Sequence, residues 1–303
     1  MKGIGKTPLI KLERMSEPGS AEIYVKCENA NRTGSMKDRM ALSMIQGAEE
    51  RGELQPGGTV VEYTGGSTGS SLAMICAVKG YKAHFVSSDA FSEEKLKTMR
   101  AFGAELEILP GDGGKITAEL FTRMIGRAKE LSLQPNTFWT DQFNNIDNRQ
   151  AYHAMAREIM DLLGDTIDEF ITGVGTGASF SGNAEVFKQK IPGIRCIAVE
   201  PLHVRALSGG DISGKHKLEG IGSGFVPSIC RMDLADEVMA VSDEDAYETA
   251  RKLAKLEGIF GGVTSGANVW AAIQRARVLG PGKKIVTIIV DSGLKYLKGD
   301  LYR

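Results

Sequence analysis

Short apolar runs alternate with longer segments in which apolar residues recur at helical spacing, and this holds for most of the chain. The runs predict strands near 22–27, 58–63, 82–87, 104–109, 137–140, 168–172, 194–200, 237–241 and 284–290. The spaced segments predict helices near 37–51, 67–79, 92–102, 116–132, 147–163, 178–190, 243–257 and 266–278. Such alternation belongs to α/β proteins with parallel sheets. Gly57-Gly58, Gly111-Asp112-Gly113-Gly114, Gly209-Gly210 and Pro281-Gly282 read as loop punctuation, and there is no periodic repeat. Residues 201–236 lack clear periodicity and are too long for an ordinary connection, so they read as functional or partly structured. One set of βα units before about residue 145 and one after it predict two doubly wound, mostly parallel sheets with a cleft between them. Ligands of such sheets bind beyond the carboxyl ends of the strands, which directs attention to the residues that follow each strand.

The 303 residues are 42% hydrophobic and 25% charged, with 37 Lys+Arg against 38 Asp+Glu, which excludes a disordered or fibrous chain. No basic cluster is longer than Lys283-Lys284, which argues against nucleic acid as a partner and for small substrates. No run approaches the roughly 20 apolar residues that cross a bilayer, and no signal-peptide pattern follows Met1, so a cytoplasmic protein is expected. Cys27, Cys76, Cys196 and Cys230 are far apart and read as reduced structural thiols. His84, His153, His203 and His216 have no zinc-ligand spacing, so no metal is expected.

Three junctions are rich in Gly, Ser and Thr: Thr64-Gly65-Gly66-Ser67-Thr68-Gly69, Gly173-Val174-Gly175-Thr176-Gly177-Ala178-Ser179 and Gly261-Gly262-Val263-Thr264-Ser265-Gly266. Glycine permits close backbone approach, and the free N–H groups of a first helical turn make an anion site. The 173–179 loop is the best phosphate candidate, with the Thr176 and Ser179 hydroxyls adding to the backbone donors. A rival reading is a dinucleotide fingerprint, since Gly173-x-Gly175-x-x-Ala178 fits that pattern and Glu200 ends the next strand. It leaves the 64–69 loop and the Lys37 region without a role. In Gly34-Ser35-Met36-Lys37-Asp38-Arg39 the lysine falls in a first helical turn, where the dipole disfavours a cation. In a cleft of low dielectric its pKa would be lowered and its amine available for Schiff-base chemistry. The plain alternative is a solvated lysine beside Asp38.

Taken together, these residues resemble the cysteine synthase and cystathionine β-synthase family of fold type II pyridoxal-phosphate enzymes. The resemblance runs from Ile4-Gly5-Lys6-Thr7-Pro8-Leu9 to Asp291-Ser292-Gly293-Leu294-Lys295-Tyr296-Leu297. Between them lie the Lys37 run, the Gly173–Gly182 loop, Ala198-Val199-Glu200-Pro201, Glu219-Gly220-Ile221-Gly222-Ser223-Gly224-Phe225-Val226-Pro227, and Glu257-Gly258-Ile259 leading to Thr264-Ser265-Gly266-Ala267. The resemblance implies pyridoxal 5'-phosphate in the cleft, joined to Lys37 as an internal aldimine. It places the phosphate on Gly175, Thr176, Gly177, Ala178 and Ser179, and a hydroxyl from Thr264 or Ser265 opposite the pyridine nitrogen. A hydroxyl makes the ring a weaker electron sink than a carboxylate would, which favours loss of a β leaving group. Thr64, Gly65, Gly66, Thr68, Gln142 and Gly222 are carried over as substrate-binding residues, Lys37 as the base that takes the α-proton, and a thiol or sulfide as the nucleophile that adds to an aminoacrylate.

Two positions depart from the family's T-S-G-N-T-G loop. Ser67 stands where an asparagine bonds the cofactor's 3′ oxygen, and Gly65 where a serine helps grip the substrate carboxylate. The stretch Gln150-Ala151-Tyr152-His153-Ala154-Met155-Ala156-Arg157-Glu158 is also altered. Glu219 stands where phosphoserine-using relatives carry a basic residue, so an uncharged donor, O-acetylserine first, is expected. The resemblance further implies a homodimer, a smaller mobile domain over 34–145, a larger cofactor-binding domain over 1–33 plus 146–303, and serine acetyltransferase as a candidate partner. Neither a haem-binding extension nor a C-terminal regulatory domain is expected. The expected activity is β-replacement giving cysteine or an analogue. The alternatives are β-elimination of dehydratase or desulfhydrase type, and a non-catalytic binding protein of the same fold.

Overall fold

A computed structural model describes residues 1–111 and 117–303. In chain order the first elements are β1 (Leu9–Lys11), β2 (Glu22–Cys27), α1 (Lys37–Glu50), β3 (Thr59–Tyr63), α2 (Ser67–Lys79), β4 (Lys82–Ser88), α3 (Glu93–Ala101) and β5 (Glu105–Leu109). There follow α4 (Ala118–Ser132), β6 (Thr137–Trp139), α5 (Ile146–Gln150), α6 (His153–Leu163), β7 (Glu169–Gly173), α7 (Ala178–Lys190) and β8 (Arg195–Pro201). The last are β9 (Glu237–Val241), α8 (Asp243–Lys252), α9 (Val263–Leu279) and β10 (Lys284–Ile289).

The chain divides into two units, Met1 with Lys37–Asn148, and Lys2–Met36 with Arg149–Arg303. The smaller unit holds a parallel sheet in the order β5-β4-β3-β6. Its Val61 and Val86 pack on Leu120, Met124 and Ala128 of α4. The larger unit holds a sheet ordered β1-β2-β10-β7-β8-β9, parallel except for β1. Its core joins Ile23, Val25, Ile171, Ile197 and Ile285 to the small residues Ala267, Ala271 and Ala272 of α9. Both sheets are doubly wound α/β layers, and each has one place where the chain reverses its direction of travel. In the smaller sheet β3, β4 and β5 proceed one way and β6 returns to the other side of β3. In the larger sheet β7, β8 and β9 proceed one way and β10 returns beside β7. Loops diverge at such switch points, which opens the crevice where ligands of doubly wound sheets bind.

Several elements differ from the sequence expectation. The helix expected over 147–163 is two, because fully buried Tyr152 interrupts it, its N–H closing a tight turn on the Arg149 carbonyl at 3.2 Å. The helix expected over 243–257 is α-helical only to Lys252 and finishes as a π turn over Leu253–Glu257, closed by left-handed Gly258. Helix α9 starts three residues early, so Thr264 and Ser265 lie in its first turn rather than in a loop. Strand β1, three residues long, gave too short a pattern to read. Of the expected Gly111–Gly114 loop, Asp112, Gly113 and Gly114 lie outside the described residues, as do Lys115 and Ile116 before α4. The 201–236 segment contains a single short 3-10 turn, Met232–Leu234, among the described residues. It is tied down by buried Glu200, which accepts from the Leu207 N–H at 2.7 Å and from the Ser208 hydroxyl.

Candidate active site

At the switch point of the smaller sheet, β3 ends in Glu62-Tyr63 and the chain curls around the hydroxyl of Thr64. That oxygen accepts from the Gly66 and Gly69 N–H groups at 3.1 Å each. Helix α2 then begins at Ser67 with no side-chain cap, so its first-turn N–H groups have no intrahelical acceptor. From the end of β6, Gln142 reaches the same turn. Its Oε1 accepts from Thr68 Oγ1 at 2.8 Å and its Nε2 donates to the Tyr63 carbonyl at 3.3 Å. Thr64, Thr68 and Gln142 are buried, whereas Gly65 and Ser67 are half-exposed. The arrangement of unfilled N–H groups, hydroxyls and an amide suits a carboxylate.

Beneath this turn lies a residue the sequence reading missed. Glu62 is completely buried, and its carboxylate accepts from Tyr63 N at 2.9 Å, Thr140 Oγ1 at 2.5 Å and Gln142 N at 3.1 Å. Burial lifts its pKa from 4.5 to about 7, and the hydrogen bonds only partly offset that. The available signal was a carboxylate inside the apolar run Val60-Val61-Glu62-Tyr63.

In the larger unit the matching switch point lies after β7. Gly177 is left-handed, with φ +80°, and α7 begins at Ala178 without a side-chain cap. A methyl group added to Gly175 would overlap the Gly220 carbonyl, and one added to Gly177 would overlap the Cys230 side chain. The loop therefore lies flush against residues 220 and 230, and at the helix start the Ala178 N–H meets the Thr176 hydroxyl at a long 3.4 Å. Ser179 Oγ, in the first turn, is buried and has no hydrogen-bond partner among the described residues. A buried hydroxyl left so costs about 1–3 kcal/mol, a cost that an anion bound there would offset. The start of a helix, its dipole and a hydroxyl with no partner among the described residues together fit the phosphate of a cofactor.

Around this loop, Gly222 N donates to the Val174 carbonyl at 3.1 Å, and His216 Nε2 lies 3.2 Å from the Gly222 carbonyl. Thr264 Oγ1 donates to the Glu219 carbonyl at 2.6 Å. Ser265 Oγ accepts from Val290 N at 2.9 Å and has no acceptor for its own proton among the described residues. Of the two hydroxyls, Ser265 is thus the one with a proton left to donate. Asn268, another residue missed from sequence, is fully buried and bridges Gly173 N and the Ile288 carbonyl, fixing α9 to the ends of β7 and β10.

Lys37 is half-buried and opens α1. The turn that leads into it is held by Glu28, which accepts from Thr7 Oγ1 at 2.6 Å and from Asn31 Nδ2 at 2.8 Å. Met36 N donates to the Val290 carbonyl at 2.9 Å. Asp38 is no solvated companion, being fully buried and accepting from Ser71 Oγ at 2.6 Å. The dinucleotide reading needed Glu200 to face a ribose, but its carboxylate is buried and engaged by residues 207 and 208. Among the described residues, no cluster of His, Cys, Asp and Glu could hold a metal ion. The four cysteines are free thiols.

The model of the pyridoxal-phosphate dependent enzyme family matches residues 1–291. A cysteine synthase of Staphylococcus aureus is 42% identical over 301 residues, 99% of this chain and 95% of that protein. The crystal structure of cysteine synthase from Entamoeba histolytica aligns with a TM-score of 0.92 at 35% identity, covering 99% of this chain and 89% of that one. A hydrogen sulfide-producing enzyme from Fusobacterium nucleatum aligns with a TM-score of 0.91 at 39% identity, covering 97% and 96%. Similarity of this extent, spanning both sheets and every loop described above, makes the chain a member of the pyridoxal-phosphate dependent enzymes, of the fold type II, cysteine synthase-like kind.

Proposed function

We propose that this enzyme carries out β-replacement on an O-activated serine, O-acetylserine in preference, with sulfide as nucleophile, giving cysteine. The observation that carries the reading is the α7 N-terminus with the Ser179 hydroxyl, which has no partner among the described residues, in a chain 42% identical to a cysteine synthase. Pyridoxal phosphate supplies an electron sink that makes the α-proton of a bound amino acid acidic and lets a β substituent depart. Gly175, Thr176, Gly177, Ala178 and Ser179 would hold its phosphate, Ser265 or Thr264 would offer a hydroxyl to its ring nitrogen, and Ser67 would be the residue offered to its 3′ oxygen. The amine of Lys37 anchors the cofactor and, once displaced by substrate, takes the α-proton on Nζ.

The substrate carboxylate is assigned to the α2 N-terminus, through the 64–69 backbone, Thr68 and the Gln142 amide, with Gly222 on the substrate side of the larger unit. Glu219, exposed in sequence next to Gly220, supports a neutral leaving group because an acid there repels a phosphate. The test is kcat/KM for O-acetylserine and for O-phosphoserine with sulfide. The reading expects acetylserine to be favoured, and a higher value with phosphoserine overturns that choice of donor. β-Elimination is the second reading, favoured by the 39% identity to a hydrogen sulfide-producing enzyme. It would show as ammonia and an oxo acid released from cysteine faster than cysteine is made. The setting we propose is a cytoplasmic homodimer, with serine acetyltransferase as the partner to try first.

A further inference from the structure

We infer that Glu62 is a positioning residue: its buried carboxylate holds the Gln142 backbone so that the Gln142 amide and Thr68 hydroxyl face an amino-acid carboxylate, and only the ionised form does so fully. The inference rests on the reading of Gln142 as a carboxylate ligand and goes beyond it. Its basis is geometric. One oxygen of Glu62 takes both Thr140 Oγ1 and Gln142 N, the two polar groups at the exit of β6, while the other takes Tyr63 N at the exit of β3. A single side chain thereby ties together the two strand ends that diverge at the switch point. Gln142 is held a second time by its own carbonyl, which accepts from Asn148 Nδ2 at 2.7 Å. From that backbone its side chain reaches Thr68 and Tyr63.

Among the described residues no cation is paired with Glu62. On its own strand the neighbouring titratable group is Tyr63, and on the connection after β6 it is Asp141, whose charge opposes ionisation of Glu62. On β4 the register partner is apolar Phe85. His84, one residue earlier, lies 4.0 Å from Glu105 and from Glu107. Helix α2 offers Cys76 and Lys79, and Lys79 pairs with Glu49 at 2.6 Å. Helix α4 turns Arg127 to Glu107 and Glu130, and Arg123 to the Pro110 carbonyl. Its Glu119 and Lys129 complete the charged set of that helix. Burial thus leaves Glu62 titrating at about 7. Protonation removes the charge from the bond to Gln142 N, and charge-assisted hydrogen bonds are roughly twice as strong as neutral ones.

The test uses holoenzyme and two variants. Thr140→Val removes one donor to the ionised form, so it moves the titration of Glu62 upward, and Glu62→Gln abolishes it. The infrared difference spectrum of the wild type between pH 6 and pH 8 is expected to contain a buried carboxyl band that titrates near 7, moves up in Thr140→Val and is missing in Glu62→Gln. Half-saturation by O-acetylserine, followed by the visible spectrum, is expected to weaken roughly tenfold as pH falls through that same midpoint, while the limiting spectrum stays the same. Absence of the band, or a half-saturation profile unmoved by Thr140→Val, overturns the inference even if Glu62→Gln fails to fold. Gln142→Ala separates the two levels. If it leaves half-saturation unchanged, the carboxylate reading of Gln142 fails and takes the inference with it. If it raises half-saturation while the Thr140→Val profile stays unmoved, only the role of Glu62 fails.

Discussion

Replacing Ser179 with alanine should affect the apo- and holoenzyme in opposite directions. In the folded chain Ser179 Oγ is buried without a partner among the described residues, so its desolvation is uncompensated. Removing it relieves up to about 1–3 kcal/mol, less the few contacts the oxygen makes. The apoenzyme should therefore unfold at the same temperature or a few degrees higher, at roughly 2–4 °C per kcal/mol for a chain of this size. Under the proposed assignment the same hydroxyl would donate to a phosphate oxygen of the bound cofactor, and a hydrogen bond to a charged group contributes about 1.5–3 kcal/mol. Affinity for pyridoxal phosphate should accordingly fall by roughly 10- to 150-fold. The assay is thermal unfolding of the apoprotein, followed by titration with pyridoxal phosphate monitored by visible absorbance, for wild type and Ser179→Ala. A structural role for Ser179 makes the opposite forecast, a destabilised apoprotein with unchanged affinity, and that result would refute the phosphate assignment.

Other outcomes follow from the same geometry. Gly65→Ser, which restores the residue usual in the family, places a side chain 2.7 Å from the Phe91 ring and should cost about 1–3 kcal/mol in urea unfolding. Phe91→Ala should relieve most of that loss, and strict additivity of the two changes would contradict a direct clash. The raised pKa of Glu62 means that the folded chain keeps a proton that the unfolded chain releases above 4.5. Its contribution to stability is present in full below 4.5 and is lost as pH rises through about 7. Relative to Glu62→Gln, the wild type should lose on the order of 3 kcal/mol between pH 4.5 and pH 8 in urea titrations, and a constant difference would argue against a buried, unpaired carboxylate.

Much of the fold could be read from the sequence because central strands such as β3, β7 and β8 are buried on both faces and form near-continuous apolar runs between helical segments. Strand Glu22–Cys27 and helix Ala178–Lys190 fall where the pattern put them. Failures occurred where a tertiary contact overrode the pattern, as at Tyr152, whose burial splits a continuous helical stretch. The candidate anion loops could be picked out because such a site at a helix start needs small residues and hydroxyls, as at Gly173–Ser179. The residues behind those loops were not visible. Glu62 and Asn268 matter because of what the topology brings to them, the exit of β6 in one case and the ends of β7 and β10 in the other. Nor could periodicity show that Thr264 would direct its proton to the Glu219 carbonyl while Ser265 kept its own.

Under the proposed function, Lys37 provides the amine for pyridoxal-phosphate chemistry on an activated serine. The most direct measurement is the visible spectrum of the purified protein and of Lys37→Ala, each reconstituted with pyridoxal phosphate, before and after addition of O-acetylserine. The wild type should show a yellow band that shifts to longer wavelength with O-acetylserine, and Lys37→Ala should show neither band nor shift. A band of equal strength in both proteins would contradict the role given to Lys37.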